Sequence, residues 1–259
     1  MPRQMRQRSR TGIYHVMTRG NGGQSLFENE DDNRKFLEIL YETKEKLEHE
    51  IDLYAYCLMG NHIHLLIKEN NVEIGNFMRR SMAQYAQFVN WKYQRKGHVF
   101  QDRYKSEPVE DDKYLLTVFR YILQNPVKAG LSKSVFDYRW NSWKAYGTGQ
   151  EYPIGLTDTA YVTSLFHSEP QKAIEKMKVF LEEPGTSTCL DVDTVTRLTD
   201  DEVRQKIMQQ FPEIKYQSLQ QVSKERRKES LRNIKSIEGA SLRQIARITG
   251  IGIKIVQNA

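Results

Sequence analysis

Tyr54-Ala55-Tyr56-Cys57-Leu58-Met59-Gly60-Asn61-His62-Ile63-His64-Leu65-Leu66-Ile67 sets two histidines one residue apart directly after a turn. Ile51 to Leu58 and His62 to Lys68 are β-branched or aromatic runs of strand length, and Met59-Gly60-Asn61 between them carries turn chemistry, so the stretch reads as a β-hairpin. Side chains alternate faces along a strand. His62 and His64 therefore point to one side, while Ile63, Leu65 and Ile67 point to the other, into a core. Two residues' rise separates the histidine Cα atoms by about 6.5 Å on one exposed face, which is chelating distance. Spacing alone contains no test for a ligand, and a surface pair on a half-buried strand would look the same.

Working outward, Gly12 to Arg19 has strand propensity and Gly20-Asn21-Gly22-Gly23 ends it. Asp31-Asp32 opens a helix over Asn33 to Glu48, where Phe36, Ile39, Leu40 and Leu47 recur at helical spacing. After the hairpin, Val72 to Tyr93 carries Ile74, Phe77, Met78, Met82, Tyr85, Phe88 and Val89 as a second 3.6-residue stripe. His98 to Glu110 reads as a loop and strand. Asp111 to Gln124 reads as a third helix that Pro126 terminates through its restriction on the preceding residue. The order β-α-β-β-α-β-α predicts an α+β fold of the ferredoxin-like (split βαβ) kind: an antiparallel sheet with helices on one face, the other face being left for ligand, followed by a smaller all-α C-terminal domain.

The third helix carries the chemistry. Leu115, Phe119 and Ile122 form its packing stripe, and Tyr121 and Asn125, four residues apart, share a face. A tyrosine that merely packs and an asparagine that merely caps the helix before Pro126 would give the same spacing. Together with the histidines, the pattern matches a phosphodiester-cleaving site: a divalent cation held by His62, His64 and the Asn125 amide oxygen, with Tyr121 as nucleophile. Open positions for water and phosphate suit Mg²⁺ or Mn²⁺. Phenol is a weak nucleophile at neutral pH, so a cation must neutralise the scissile phosphate. Tyrosine attack exchanges one phosphodiester for another, and no Walker-type phosphate loop occurs, so no nucleotide cofactor is expected. Tyr114 lies on the same helix, but its partner four residues on is Val118, which supplies no ligand. His15, His49 and His167 read as ordinary surface or core residues.

The 259 residues contain 39 Lys and Arg against 33 Asp and Glu, a net charge of +6 with a pI near 9.1, which favours a polyanionic partner such as nucleic acid. Arg95, Lys96, Arg103 and Lys105 beside His98 suit phosphate contact, or equally a solvated loop. Two cysteines, Cys57 and Cys189, indicate neither a disulfide framework nor a cysteine metal site. The first ten residues carry four arginines and no apolar segment, and no run approaches membrane-spanning length, so a cytoplasmic protein with no membrane partner is expected.

Beyond residue 150 the composition changes. We divide the chain into a catalytic domain over 1–150, a helical extension over 151–183, a linker and helix over 184–219, and a helix-turn-helix-like DNA-binding domain over 220–259. In the last, Ser241 caps a helix with Leu242, Ile245, Ala246 and Ile248, Gly250 turns the chain, and Ile253 starts a second helix. Arg243, Arg247 and Lys254 would face duplex DNA there, although a plain helical hairpin used for packing has the same pattern.

Several stretches in order resemble the single-tyrosine HUH transposases, and among them the REP-associated tyrosine transposases. They are Thr18-Arg19-Gly20-Asn21, Met59-Gly60-Asn61-His62-Ile63-His64, Gly97-His98-Val99-Phe100-Gln101-Asp102-Arg103-Tyr104-Lys105-Ser106, Tyr121-Ile-Leu-Gln-Asn125-Pro-Val-Lys-Ala-Gly130 and Trp140-Asn-Ser-Trp143. The resemblance covers roughly residues 10–150. It implies that His62 and His64 are metal ligands, Asn125 the third ligand, and Tyr121 the nucleophile that becomes joined to a DNA 5′-phosphate while a 3′-hydroxyl is released. It implies Mg²⁺ or Mn²⁺, recognition of a DNA hairpin with Arg19 among the contacts, and cutting of single-stranded DNA beside it. Related enzymes include dimers that exchange the tyrosine helix and monomers, so oligomeric state does not carry over. The rival reading is a non-catalytic DNA-binding regulator that recognises hairpin and duplex DNA without cutting.

Overall fold

The computed structural model describes residues 6–185, 189–190, 200–214, 216, 219–237, 240 and 242–259. The chain forms two compact units, Met1–Val192 and Asp193–Ala259. In the first, β1 (Ile13–Arg19), α1 (Glu30–Glu45), β2 (Ile51–Leu58), β3 (His62–Glu69), α2 (Ile74–Lys92), β4 (Lys105–Val109) and α3 (Asp112–Lys128) follow the order read from the sequence. The sheet is antiparallel, in the order β2-β3-β1-β4.

Parity along the strands decides which face each residue covers. Tyr14, Val16, Ile63, Leu65 and Ile67 lie in one core with Phe36, Leu37 and Leu40 of α1 and Phe77, Met78 and Tyr85 of α2. A register shift between Leu53 and Ala55 lets β2 serve both faces: Leu53, Tyr56 and Leu58 join this core, whereas Ala55 and Cys57 turn to the other side. The second face carries Ile13, Ala55, Cys57 and Leu66, which also need cover. Helix α3 supplies it with Leu115, Val118, Phe119 and Ile122, backed by α4 (Trp143–Gly147), α5 (Ala160–Phe166) and α6 (Pro170–Glu182). The histidine-bearing face is thus roofed by helix rather than left open, because Ile13, Ala55, Cys57, Leu66 and Val109 on it need apolar cover.

Two further differences from expectation have local causes. Pro126 lies inside α3 instead of ending it. Its missing N–H falls in the last turn, where only one helical bond is forfeited, and the helix ends at Lys128 just before Gly130, whose φ of +69° accepts the left-handed turn. Residues 151–183, placed outside the first domain by composition, belong to the first unit: Gln124 of α3 donates to the carbonyls of Leu181 at 2.8 Å and Glu183 at 2.7 Å. The Trp140-Asn-Ser-Trp143 stretch closes the open edge of β2. Leu58 N donates to Trp140 O, Ser142 N donates to Tyr56 O, and Tyr56 N donates to the Ser142 hydroxyl.

Gly20 sits where three segments meet. Its N–H donates to Asn61 O at 2.8 Å, Asn21 N donates to Val99 O at 2.8 Å, and Gln101 N donates to Arg19 O at 2.9 Å. A Cβ on Gly20 would collide with the carbonyl oxygen of Gln24. Gly20→Ala should therefore cost about 1–3 kcal/mol through backbone displacement. Thermal unfolding would register this as a drop of about 2–4 °C for each kcal/mol, and an unchanged midpoint would contradict the crowding argument.

The second unit contains α7 (Asp200–Gln210), α8 (Lys224–Lys235), α9 (Leu242–Thr249) and α10 (Ile253–Asn258) around a core of Val203, Ile207, Leu231, Ile234, Ile245 and Val256. Gly250, with φ +67°, turns the chain after α9, and its carbonyl accepts from Gln220 Nε2 at 2.6 Å. Ser241, the expected cap of α9, lies outside the described residues, as do 186–188 and 191–199 of the expected linker and the side chain of Arg243.

Candidate active site

The β1–β3 register sets Met17 opposite His64 and Arg19 opposite His62, which brings His15 one step along the same face. Three imidazoles and a phenol gather there under α3. His62 and His64 ring centroids are 5.1 Å apart, His15 and His64 are stacked at 5.2 Å, and the Tyr121 ring lies 5.8 Å from His15 and 5.7 Å from His64. Exposure falls from partly exposed His62 to fully buried His64, so the site opens at the Arg19–His62 end of the strand pair. Tyr121 is 7% exposed and its hydroxyl is buried.

Because α3 runs on past Pro126, Asn125 is an interior helical residue whose carbonyl accepts from Ala129 N, one turn beyond Tyr121 on the same face. It is 8% exposed, and its amide nitrogen is buried without a hydrogen-bond partner. Lys128, one further turn along, holds its ammonium 4.9 Å from the Tyr121 ring centroid. Sequence reading missed this lysine, although the i, i+4, i+7 series Tyr121, Asn125, Lys128 was there to be read.

What occupies the other nitrogens of the imidazoles decides what they could offer a cation. His62 Nδ1 faces the Asn61 amide oxygen at 2.8 Å; that oxygen only accepts, so Nδ1 is the donor there and Nε2 is the nitrogen turned away from Asn61. His64 Nδ1 is 3.0 Å from His15 Nε2, and His64 Nε2 is buried with no hydrogen-bond partner. Burial first, then the neighbouring His15 and His62, hold the His64 pKa well below the usual histidine range, so the ring is neutral at neutral pH. An orphaned, neutral, buried imidazole nitrogen is what a metal ligand looks like before metal binds. Among the described residues no three His, Cys, Asp or Glu side chains form a metal-holding group, so a third protein ligand would be of another type, and the Asn125 amide is of the right chemistry. The residues present thus fit a divalent cation.

Two side chains passed over in the sequence belong to the site's surroundings. His15 read as ordinary because its strand's parity was visible but its pairing partner was not; only the register puts it beside His64. Glu107 on β4 pairs with His15, its carboxylate 3.7 Å from Nδ1. Chiefly through His15, and against its partial burial, Glu107 is held below the usual carboxylate range, with Tyr114 and Leu190 N–H adding to the effect. The Tyr114 hydroxyl donates to Glu107 at 2.7 Å, and burial followed by that carboxylate pushes its pKa up, so its proton is held on the phenol oxygen, toward the carboxylate.

The basic residues expected to contact DNA are distributed. Arg19 flanks His62 at the mouth of the site. Arg95 bonds Gln24 in the loop after β1, and Lys96 is exposed beside it. Exposed Arg103 lines a groove of about 740 Å³ between α2 and the 97–104 loop with Arg6 and Arg79, while Lys105 is exposed at the start of β4. Arg247 and Lys254 are exposed on α9 and α10 of the second unit. No helix among the described residues is long and apolar enough to cross a membrane.

A sheet with two histidines on one strand and a tyrosine helix across them defines the class to which the comparisons point: residues 9–125 match the family model described as Transposase IS200 like. Over 122 residues the chain is 30% identical to a REP-associated tyrosine transposase of Haemophilus influenzae, covering 42% of this chain and 69% of that one. The chain belongs to the REP-associated tyrosine transposases. A solved structure of a REP-associated tyrosine transposase bound to a REP hairpin covers 62% of this chain and 96% of that chain, at 18% identity and a TM-score of 0.49.

Proposed function

We propose that this transposase is a metal-dependent single-stranded DNA endonuclease and strand transferase that cuts beside a DNA hairpin through Tyr121. The observation that carries the reading is the placement of the Tyr121 ring 5.7 Å from His64, whose Nε2 is buried and unpartnered. His62, His64 and Asn125 would hold Mg²⁺ or Mn²⁺. When bound, the cation would draw charge from a non-bridging phosphate oxygen. Tyr121 Oη forms a bond to phosphorus as the P–O3′ bond breaks; the phenolic proton passes to solvent and the 3′-oxygen takes one up. The product is a 5′-phosphotyrosine and a 3′-hydroxyl, and because one phosphodiester replaces another, a second 3′-hydroxyl can reverse the step. Lys128 adds positive charge at the exposed rim beside the phenol. Since the Tyr121 hydroxyl is buried, DNA that enters at the Arg19–His62 end must displace cover from the phenol to reach it.

The test is incubation of the full chain with an end-labelled hairpin bearing a single-stranded flank, with Mn²⁺, followed by denaturing electrophoresis. A slow-migrating protein–DNA species is expected; hairpin binding without any such species would leave the regulator reading.

We assign duplex contact to the second unit, through Arg243, Arg247 and Lys254. Removing residues 193–259 should weaken binding to duplex-containing substrates and flatten its salt dependence by roughly 0.9 in log–log slope for each phosphate that the shortened chain no longer neutralises. Cutting of a short hairpin substrate should persist. Equal affinity and equal slope for both chains would make α9 and α10 a packing hairpin.

A further inference from the structure

We propose that Glu107 and His15 are positioning residues that set the proton arrangement of His64, so that its Nε2 is presented as a lone pair to the site. The inference rests on the reading of His64 as a metal ligand and deepens it. Three side chains on three adjacent strands form a row across the sheet: Glu107 on β4, His15 on β1 and His64 on β3. Their contacts are 3.7 Å between Glu107 Oε2 and His15 Nδ1, and 3.0 Å between His15 Nε2 and His64 Nδ1.

Only one proton can occupy the His15–His64 contact when both rings are neutral, and its direction decides what His64 offers. If His15 donates, His64 Nδ1 accepts, and the remaining His64 proton must sit on Nε2, buried with no acceptor. His15 Nδ1 would then aim a lone pair at a carboxylate. If His64 donates, both conflicts vanish: His15 Nε2 accepts, His15 Nδ1 carries its proton toward Glu107, and His64 Nε2 is left as a lone pair. The carboxylate is what breaks the symmetry, because it only accepts. Glu107 is itself fixed, receiving the Tyr114 hydroxyl at 2.7 Å on one oxygen and Leu190 N–H at 2.9 Å on the other. The arrangement has the form of a carboxylate–histidine–histidine relay behind a ligand, with His15 fully buried and so held in one orientation. His62 Nδ1 is held as a donor more simply, by the Asn61 amide oxygen.

The experiment uses the full chain labelled with ¹⁵N-histidine. Its six histidines are assigned through the single variants His15→Gln and His64→Gln, and protonated and unprotonated ring nitrogens are separated by their long-range ¹H–¹⁵N couplings. The wild type without metal should show His64 protonated at Nδ1 alone. Glu107→Gln, which keeps the shape and removes the obligate acceptor, should lose that single tautomer and lower Mn²⁺ affinity about ten- to a hundredfold by titration calorimetry, with the amide spectrum otherwise retained. Glu107→Asp should restore part of both. A wild-type His64 protonated at Nε2, or a Glu107→Gln chain with unchanged tautomer and unchanged affinity, would overturn the inference. Failure of the metal reading has a different signature: Mn²⁺ binding indifferent to His62→Ala and His64→Gln, whatever the tautomer of His64.

Discussion

Tyr121→Phe should abolish the covalent protein–DNA species while leaving the protein folded and able to bind a hairpin. The substitution removes one oxygen and no appreciable volume, and the ring contacts with His15 and His64 remain, so the stability cost should be about 0.5–1.5 kcal/mol, the usual net value of one hydrogen-bonding group. The other tyrosine on α3 and those on and just after α2 are engaged elsewhere. Tyr114 is engaged by Glu107, Tyr85 donates to Leu26 O within the α1–α2 core, and Tyr93 donates to Asp32. Tyr152→Phe is the matched control, since that ring is 48% exposed and bonds Glu38 of α1. Loss of the adduct in Tyr121→Phe alone, read on a denaturing gel with labelled hairpin, supports the assignment; a persistent adduct would move the nucleophile elsewhere.

Removal of the cation should be nearly as severe. In excess EDTA, or in His62→Ala, cutting should fall by at least about a hundredfold, the scale of losing one pre-set electrostatic stabiliser of a transition state. His62 is the better variant for this purpose because it is partly exposed and its loss leaves little void. His64→Ala would confound the result: it empties a fully buried site and strands the His15 imidazole, for about 2–5 kcal/mol of stability on its own. Thermal unfolding of each variant separates lost chemistry from lost fold. Undiminished cutting by His62→Ala in EDTA would sink the metal assignment.

The contrast between those two histidines marks how far the sequence could be read. Alternation along Ile63, Leu65 and Ile67 was enough to place the imidazoles on the opposite face, because strand parity is a local property. Burial of that face was not local. It depends on α3 crossing back over the sheet, and on the shift at Leu53 and Ala55 that turns Cys57 toward it. His15 could not be recognised for the same reason: β1 alone says which side it faces, and only pairing with β3 and β4 says that it stands between His64 and Glu107. The end of α3 was misjudged on a propensity argument that tertiary packing overrides, since Pro126 is buried and costs the helix one bond near its end. The correction strengthens the site, because an unbroken helix holds Tyr121 and Asn125 in one rigid turn. Beyond residue 150 no motif reports that α5 and α6 back α3; Gln124, an unremarkable amide in sequence, turns out to tie them together.

The central claim, that Tyr121 is the residue joined to DNA, is tested most directly by locating the attachment. The trapped adduct is digested with nuclease and trypsin and mapped by mass spectrometry. Cleavage after Arg120 and Lys128 isolates Tyr121–Lys128, in which Tyr121 is the only tyrosine. The residual nucleotide is expected on that peptide, through the phenolic oxygen. A nucleotide found on the peptide carrying Tyr114, or on any other, would contradict it.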